Sequence, residues 1–76
     1  MKKVISQYDV SKIENLIRRY ADVYKSWSWG RCVFNAYEVL YPDFTRKLRG
    51  TELDCSVHNN VQEFMDEFYK EYEVMK

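Results

Sequence analysis

The sequence predicts a small all-α bundle built from three longer helices and one short helix. Apolar residues recur at spacings of three and four along several segments, which is the period of an amphipathic helix. No segment shows the strict alternation of apolar and polar residues that indicates a strand. With 2 glycines and 1 proline among 76 residues, a linker or a low-complexity segment is not expected. The expected organisation is one helical domain spanning residues 1–76.

The first helix is predicted over roughly residues 9–25, where the apolar positions follow the helical period and charged side chains lie between them. The segment Ser11–Glu14 fits a capping box, in which a serine side chain and an acidic side chain bond each other's backbone. Asp9 and Ser6 are alternative, earlier starts.

The second and third helices are delimited by local signals. Ser28 is the predicted N-cap of the second helix, which ends before Pro42. Because proline suits the first turn of a helix, residues 43–49 are predicted to form the short third helix. Gly50 is expected to end that helix in the left-handed backbone conformation.

The last third of the chain is predicted to be a loop followed by one helix. Residues 51–59 are polar and are expected to be irregular. Asn60 with Glu63 three residues later resembles the start of a helix. The apolar stripe of this helix consists of Val61, Phe64, Met65, Phe68, Tyr72 and Met75.

Composition and charge exclude several classes of protein. The 12 basic and 12 acidic residues balance, which argues against a nucleic-acid coat protein and against a chain-wide acidic DNA mimic. Only two apolar residues follow Lys2 and Lys3, so no signal peptide is expected, and no apolar run is long enough to span a membrane. Cys32 and Cys55 are too few for a disulfide framework and are expected to be reduced in the cytoplasm.

One ordered set of motifs stands out in the last two-thirds of the chain. Trp29-Gly30 precedes Phe34-Asn35-Ala36, Pro42 follows, and an Arg-Gly-Thr-Glu-x-Asp turn occupies residues 49–54. In this order the motifs resemble short accessory proteins of tailed bacteriophages. The resemblance covers roughly the last two-thirds of the chain, and it departs where Cys55 stands in place of a proline. It implies a setting of host takeover or defence evasion rather than a reaction.

The shared residues are interpreted first as architectural. Phe34 is expected to anchor the core, and Ala36 is expected to allow close approach of another helix. Thr51 and Asp54 are expected to accept hydrogen bonds from backbone groups of the turn. Either Glu52 or Asp54 is expected to form an ion pair with Arg49.

The residue types used in catalysis and metal binding are few. Cys55 and His58 form a Cys-x-x-His pair, to which Cys32 and the carboxylate of Glu52 or Asp54 would have to be added for a structural zinc site. This spacing matches no standard zinc module, and no oxyanion loop or nucleophile elbow accompanies a cysteine–histidine pair. No metal, cofactor or enzymatic activity is therefore predicted. His58 is interpreted as an exposed loop residue and Cys32 as a small buried hydrophobe.

Charge is segregated along the chain. Residues 1–50 contain ten Lys or Arg against five Asp or Glu, whereas residues 51–76 contain two against seven. Such charges often form a solvated helix face that complements basic neighbours in the same bundle. The functional interpretation is an acidic strip along the outer face of the last helix, which binds a basic partner. The acidic strip consists of Glu63, Asp66, Glu67, Glu71 and Glu73.

Two tryptophans flank Ser28. Tryptophan is enriched in binding hot spots, and it is also an efficient core residue in a small domain. Because Trp29 opens the second helix, it is expected to be mostly buried, and Trp27 is the candidate for an exposed contact with a partner.

These observations predict a small non-enzymatic phage accessory protein in the cytoplasm of an infected bacterial cell. It is expected to bind and inhibit a bacterial host or defence protein. The alternative is a nucleic-acid-binding or nucleotide-binding accessory module that uses the basic half of the chain. A third possibility is self-association, because a half with net charge +5 and a half with net charge −5 can pair between copies. The alternative basic surface consists of Arg18, Arg19, Lys25, Arg46 and Lys47.

Overall fold

The computed structural model describes residues 2–75, which form five helices and two short strands. The mostly helical class is confirmed, while the two strands and one additional helical turn correct the predicted set of four helices. In chain order the elements are β1 (Lys3–Ile5), α1 (Gln7–Val23), α2 (Trp29–Leu40), α3 (Pro42–Leu48), α4 (Cys55–His58), α5 (Val61–Glu71) and β2 (Tyr72–Val74).

Helix α1 begins after Ser6, the earliest of the three predicted starts. The Ser6 hydroxyl accepts a hydrogen bond from the Asp9 amide at 3.1 Å, and the Asp9 carboxylate accepts one from the Ser6 amide at 2.8 Å. This reciprocal pair is a capping box, and it lies five residues before the predicted box at Ser11. The backbone hydrogen bond from Ser6 and its hydroxyl hold the pKa of Asp9 below its ordinary value.

Helix α2 is the central helix and packs against α1, α3, α4 and α5. The Ser28 hydroxyl caps its start by accepting a hydrogen bond from the Arg31 amide at 3.2 Å, as predicted. Phe34 and Ala36 are buried, which confirms the expectation of a core anchor beside a small residue. The remaining buried residues of α2 are Gly30, Cys32, Val33 and Tyr37.

Helix α3 starts at Pro42 and is followed by Gly50, whose φ of 79° is left-handed as predicted. The carboxylate of Asp54 accepts hydrogen bonds from the amides of Gly50 at 2.8 Å and Ser56 at 3.0 Å, so it closes the turn. The predicted partner of Arg49 is wrong: its guanidinium pairs with Glu38 of α2, across the turn rather than within it.

The predicted irregular loop contains the single-turn helix α4, which packs closely on the start of α2. The Gly30 amide donates to Oδ1 of Asn59 at 3.0 Å, and the Cys55 thiol donates to the Gly30 carbonyl at 3.2 Å. A Cβ atom at position 30 would lie 2.1 Å from the Cys55 carbonyl oxygen, so only glycine permits this approach. Asn59 ends α4 with a left-handed φ of 55°.

Helix α5 ends earlier than predicted because the backbone becomes extended at Tyr72. β2 then pairs in parallel with β1, with Lys3 opposite Tyr72 and Ile5 opposite Val74. The predicted stripe is therefore correct at Phe64 and Phe68, but its last members lie outside the helix. Asn60 is the N-cap residue of α5 but makes no side-chain cap. Its amide nitrogen donates to the Glu52 carbonyl at 2.6 Å, and its Oδ1 is buried without a hydrogen-bond partner within residues 2–75.

The core is dominated by aromatic rings contributed by α2, α3, α5 and β2. Phe64 and Phe68 are fully buried, and each makes an edge-to-face contact with both Tyr37 and Phe44 at centroid separations of 4.8 to 5.5 Å. Tyr72 stacks on Phe68 at 4.4 Å. Aromatic pairs at these distances add to the free energy of area burial, which helps a chain of this size to fold.

Candidate functional site

Trp29, the first residue of α2, is an exposed tryptophan that borders a groove of the surface. Its side chain is 54% exposed, so the prediction that Trp29 is mostly buried is wrong. By helical spacing, position 29 lies on the same face of α2 as Val33 and Ala36. The Trp29 side chain borders Arg18 and Ala21 of α1, and it remains open to solvent.

An open groove of about 600 Å³ lies between Trp29 and the surface of α1. We call it the Trp29 groove. A smaller depression of about 200 Å³ also borders Trp29 and is lined by Glu14, Ile17, Arg18 and Trp29. Trp29 therefore borders two depressions of the surface. The Trp29 groove is lined by Asn15, Arg18, Arg19, Ala21, Asp22 and Trp29.

The walls of the Trp29 groove carry positive charge. Arg18 and Arg19 are exposed, and neither guanidinium forms an ion pair with a carboxylate of residues 2–75. A third depression continues the groove along α1 and shares Asn15 and Arg19 with it. Lys12 lies at the far end of this third depression, so the continuous surface is basic along about two turns of α1.

Trp27 has a different environment from the predicted one. It is half-buried and stacks on Tyr24 at 4.2 Å, while Tyr20 meets its edge at 5.7 Å. The Arg31 guanidinium lies 4.6 Å from the centre of its ring system. Trp27 thus belongs to an aromatic cluster that joins the end of α1 to the start of α2, and it is less accessible than Trp29.

Three residues of the acidic strip form ion pairs or hydrogen bonds with other side chains of the protein. Glu71 accepts from the Lys47 ammonium at 2.8 Å, and Glu67 pairs with Lys70 at 3.3 Å. Asp66 accepts from the Gln62 amide at 2.8 Å. Two more members complete the strip. Glu63 lies exposed in the first turn of α5, whereas Glu73 lies on β2 and not on the predicted helix.

The predicted alternative basic surface is divided by the fold. Lys25 pairs with Asp22 at 3.3 Å, and Arg46 approaches Asp43 at 3.8 Å. Lys47 is bound to Glu71, and this hydrogen bond raises the pKa of Lys47. Only Arg18 and Arg19 of the five predicted basic residues line the Trp29 groove.

The cysteine and histidine candidates do not form a reactive pair. The Cys55 thiol is buried against the Gly30 carbonyl, while His58 is exposed on α4. Burial, with the nearby Asp54 carboxylate, raises the pKa of Cys55 to about 12, and burial also raises that of Cys32. Both thiols are therefore protonated and poorly nucleophilic at neutral pH.

The carboxylate of Asp54 is the other buried ionisable group of this region. Burial alone would raise its pKa, but hydrogen bonds from Ser56 and from the Gly50 amide lower it below the ordinary value. Within residues 2–75 no group of three or more His, Cys, Asp or Glu side chains is placed to hold a metal ion.

The groove can make the contacts typical of a binding hot spot. An exposed indole offers a large rigid apolar surface, and guanidinium groups bind carboxylates or phosphates in a bidentate manner. Sequence reasoning singled out Arg18 and Arg19 but assigned the exposed tryptophan to position 27. No local signal marks position 29, because the exposure of Trp29 depends on which residues of α1 lie beside it in the fold.

Comparison with protein families, curated proteins and solved structures gives no match for this chain. No helix within the described residues is long and apolar enough to cross a membrane.

Proposed function

We propose that this chain is a small non-enzymatic phage accessory protein that binds and inhibits a bacterial host or defence protein in the cytoplasm of the infected cell. The Trp29 groove is its contact surface. The sequence resemblance supports the phage setting, and the groove supports the binding role.

The observation that carries the proposal is that the exposed Trp29 lines one groove with Arg18 and Arg19, neither of which forms an ion pair within residues 2–75. A tryptophan side chain buries about 150–250 Å² when it is covered, so a partner that covers the exposed half gains about 2–3 kcal/mol. This gain is the magnitude of an interface hot spot, and Trp and Arg are the residue types most enriched there.

The charge of the groove indicates the chemistry of the partner. Since neither Arg18 nor Arg19 forms an ion pair with a carboxylate of residues 2–75, an acidic segment of a bacterial protein supplies counter-charges to them. The acidic strip is a weaker candidate, because Glu67 and Glu71 already pair with lysines of the same molecule. A partner that binds the acidic strip would have to replace these lysines as the ion-pair partners of Glu67 and Glu71.

The alternative function is binding of single-stranded nucleic acid or of a nucleotide at the same groove. An exposed indole can stack on a base while adjacent arginines contact phosphate groups. The specific observation in favour is that Trp29 and Arg18 line the same two depressions. Self-association is the third outcome, because the groove of one copy can receive the acidic strip of another.

Affinity capture from bacterial lysate with matched variants tests the proposal. Trp29→Ala and the double change Arg18→Glu with Arg19→Glu should each abolish capture of a bacterial protein that the wild type retains. Tyr8→Ala is the control, because Tyr8 is an aromatic residue of α1 that is 71% exposed and lies outside the groove. Equal capture by all variants would contradict the groove assignment.

Two further measurements separate the alternatives. Fluorescence anisotropy with labelled single-stranded DNA and RNA should show no saturable binding if the partner is a protein. Saturable, salt-sensitive binding that Trp29→Ala removes would establish the alternative. Gel filtration at low and high salt detects self-association, which should weaken as salt screens the opposite charges.

A further inference from the structure

Another cavity, of about 290 Å³, shares no lining residue with the Trp29 groove. Its lining residues belong to three parts of the chain. They are Arg31, Phe34, Asn35, Arg49 and Ser56. Arg31 and Asn35 belong to α2, Arg49 follows α3, and Ser56 belongs to α4. The fold thus brings two guanidinium groups to the rim of one polar cavity.

Both guanidinium groups are held by aromatic rings. The Arg31 guanidinium lies 4.6 Å from the centre of Trp27, and the Arg49 guanidinium lies 5.3 Å from the centre of Phe34. Such cation–π contacts restrict the long arginine side chains before a ligand binds. Less conformational entropy is then lost when an anion is bound.

The carboxylates near the cavity do not use all the N–H donors of Arg31 and Arg49. Glu38 pairs with Arg49 through one terminal nitrogen of the guanidinium, a group that has five N–H donors in all. The Asp54 carboxylate accepts hydrogen bonds from the amides of Gly50 and Ser56 and from the Ser56 hydroxyl. Arg31 forms no ion pair with a carboxylate of residues 2–75.

From this geometry we propose that the cavity binds a phosphate monoester, with Arg31 and Arg49 as the two anion-binding side chains. The planar fork of N–H donors on a guanidinium matches the oxygens of a phosphate, and Arg is favoured where bidentate recognition is needed. The amide of Asn35 is fixed by its hydrogen bond to the Arg31 carbonyl at 2.7 Å, so it defines one wall of the site. The phosphate belongs either to a free nucleotide or to a phosphorylated side chain. The proposal does not depend on the function of the Trp29 groove.

NMR titration of the ¹⁵N-labelled protein tests the site with inorganic phosphate, adenosine monophosphate and phosphoserine as probes. Saturable shifts are expected at the Arg31 and Arg49 Nε–H groups and at the Asn35 side chain, with sodium chloride at matched ionic strength as the reference. Tighter binding of adenosine monophosphate assigns a nucleotide, and tighter binding of phosphoserine assigns a phosphorylated side chain.

Three variants complete the test. Arg31→Gln and Arg49→Gln should each weaken phosphate binding by about tenfold or more. Arg46→Gln should change it by less than about twofold, because that exposed arginine pairs with Asp43 outside the cavity. Circular dichroism confirms that each variant is folded, and Arg31→Gln serves alone if loss of the Arg49 contacts unfolds the protein. Shifts that do not saturate, that sodium chloride reproduces, or that Arg46→Gln reduces equally would overturn the proposal.

Discussion

Replacing Gly30 with alanine is expected to destabilise the protein by about 1–3 kcal/mol, because α2 and α4 meet at this residue. The added Cβ would lie 2.1 Å from the Cys55 carbonyl oxygen and 2.7 Å from Oδ1 of Asn59. The Asn59 side chain can rotate away, but the carbonyl belongs to the backbone of α4, so α4 has to move.

The magnitude follows from three contributions. Overpacking of a close contact costs about 1–3 kcal/mol, and loss of the Gly30–Asn59 hydrogen bond costs about 1 kcal/mol more. Alanine has a higher helix propensity than glycine, which offsets up to about 1 kcal/mol of this loss in the free energy of unfolding. Since a domain of this size loses about 4–8 °C of Tm per kcal/mol, the variant should melt at least about 4 °C below wild type.

Thermal unfolding followed by circular dichroism measures this difference. Val39→Ala is the matched control, because Val39 is exposed on the same helix and its truncation should change stability by less than about 0.5 kcal/mol. A Gly30→Ala variant that melts with or above wild type would refute the close packing of α4 on α2.

Three other predictions concern the core and its ionisable groups. Phe68→Ala should lower the free energy of unfolding in urea by about 3–5 kcal/mol, because Phe68 is fully buried among aromatic rings. Asp54→Asn should cost about 1–3 kcal/mol at pH 7, because the charged acceptor of the Gly50 and Ser56 amides is lost. Since folding lowers the pKa of Asp54, wild type should lose this stabilisation as the pH falls below about 4 towards the folded-state pKa, and the variant should not. Cys55, with a pKa of about 12, should react with a thiol reagent at pH 8 only after denaturation.

Local signals predicted much of the helical framework. Ser28 caps α2 through its own hydroxyl, Pro42 opens α3, and Gly50 follows α3 with a positive φ. Each of these effects acts within a few residues along the chain, so the sequence reveals it directly. The apolar positions Phe64 and Phe68 were likewise identified by their helical spacing.

The features that the sequence did not reveal depend on contacts between distant segments. β1 and β2 have three residues each, which is too short for an alternating pattern, and their pairing joins the two ends of the described chain. The turn of α4 is stabilised partly by contacts with Gly30 of α2. The exposure of Trp29 likewise depends on which part of α1 lies opposite it, and that is set by how the two helices pack.

The most direct test of the proposed binding role is site-specific photo-crosslinking from inside the Trp29 groove. A photoreactive amino acid replaces Asn15, which lines the groove, and in a separate variant it replaces Val57, which is 68% exposed and lies on α4 outside the groove. After irradiation in bacterial lysate, the protein labelled at position 15 should form a covalent adduct with one bacterial protein, and the protein labelled at position 57 should not. An adduct formed only from position 57, or no protein adduct from position 15, would contradict the account.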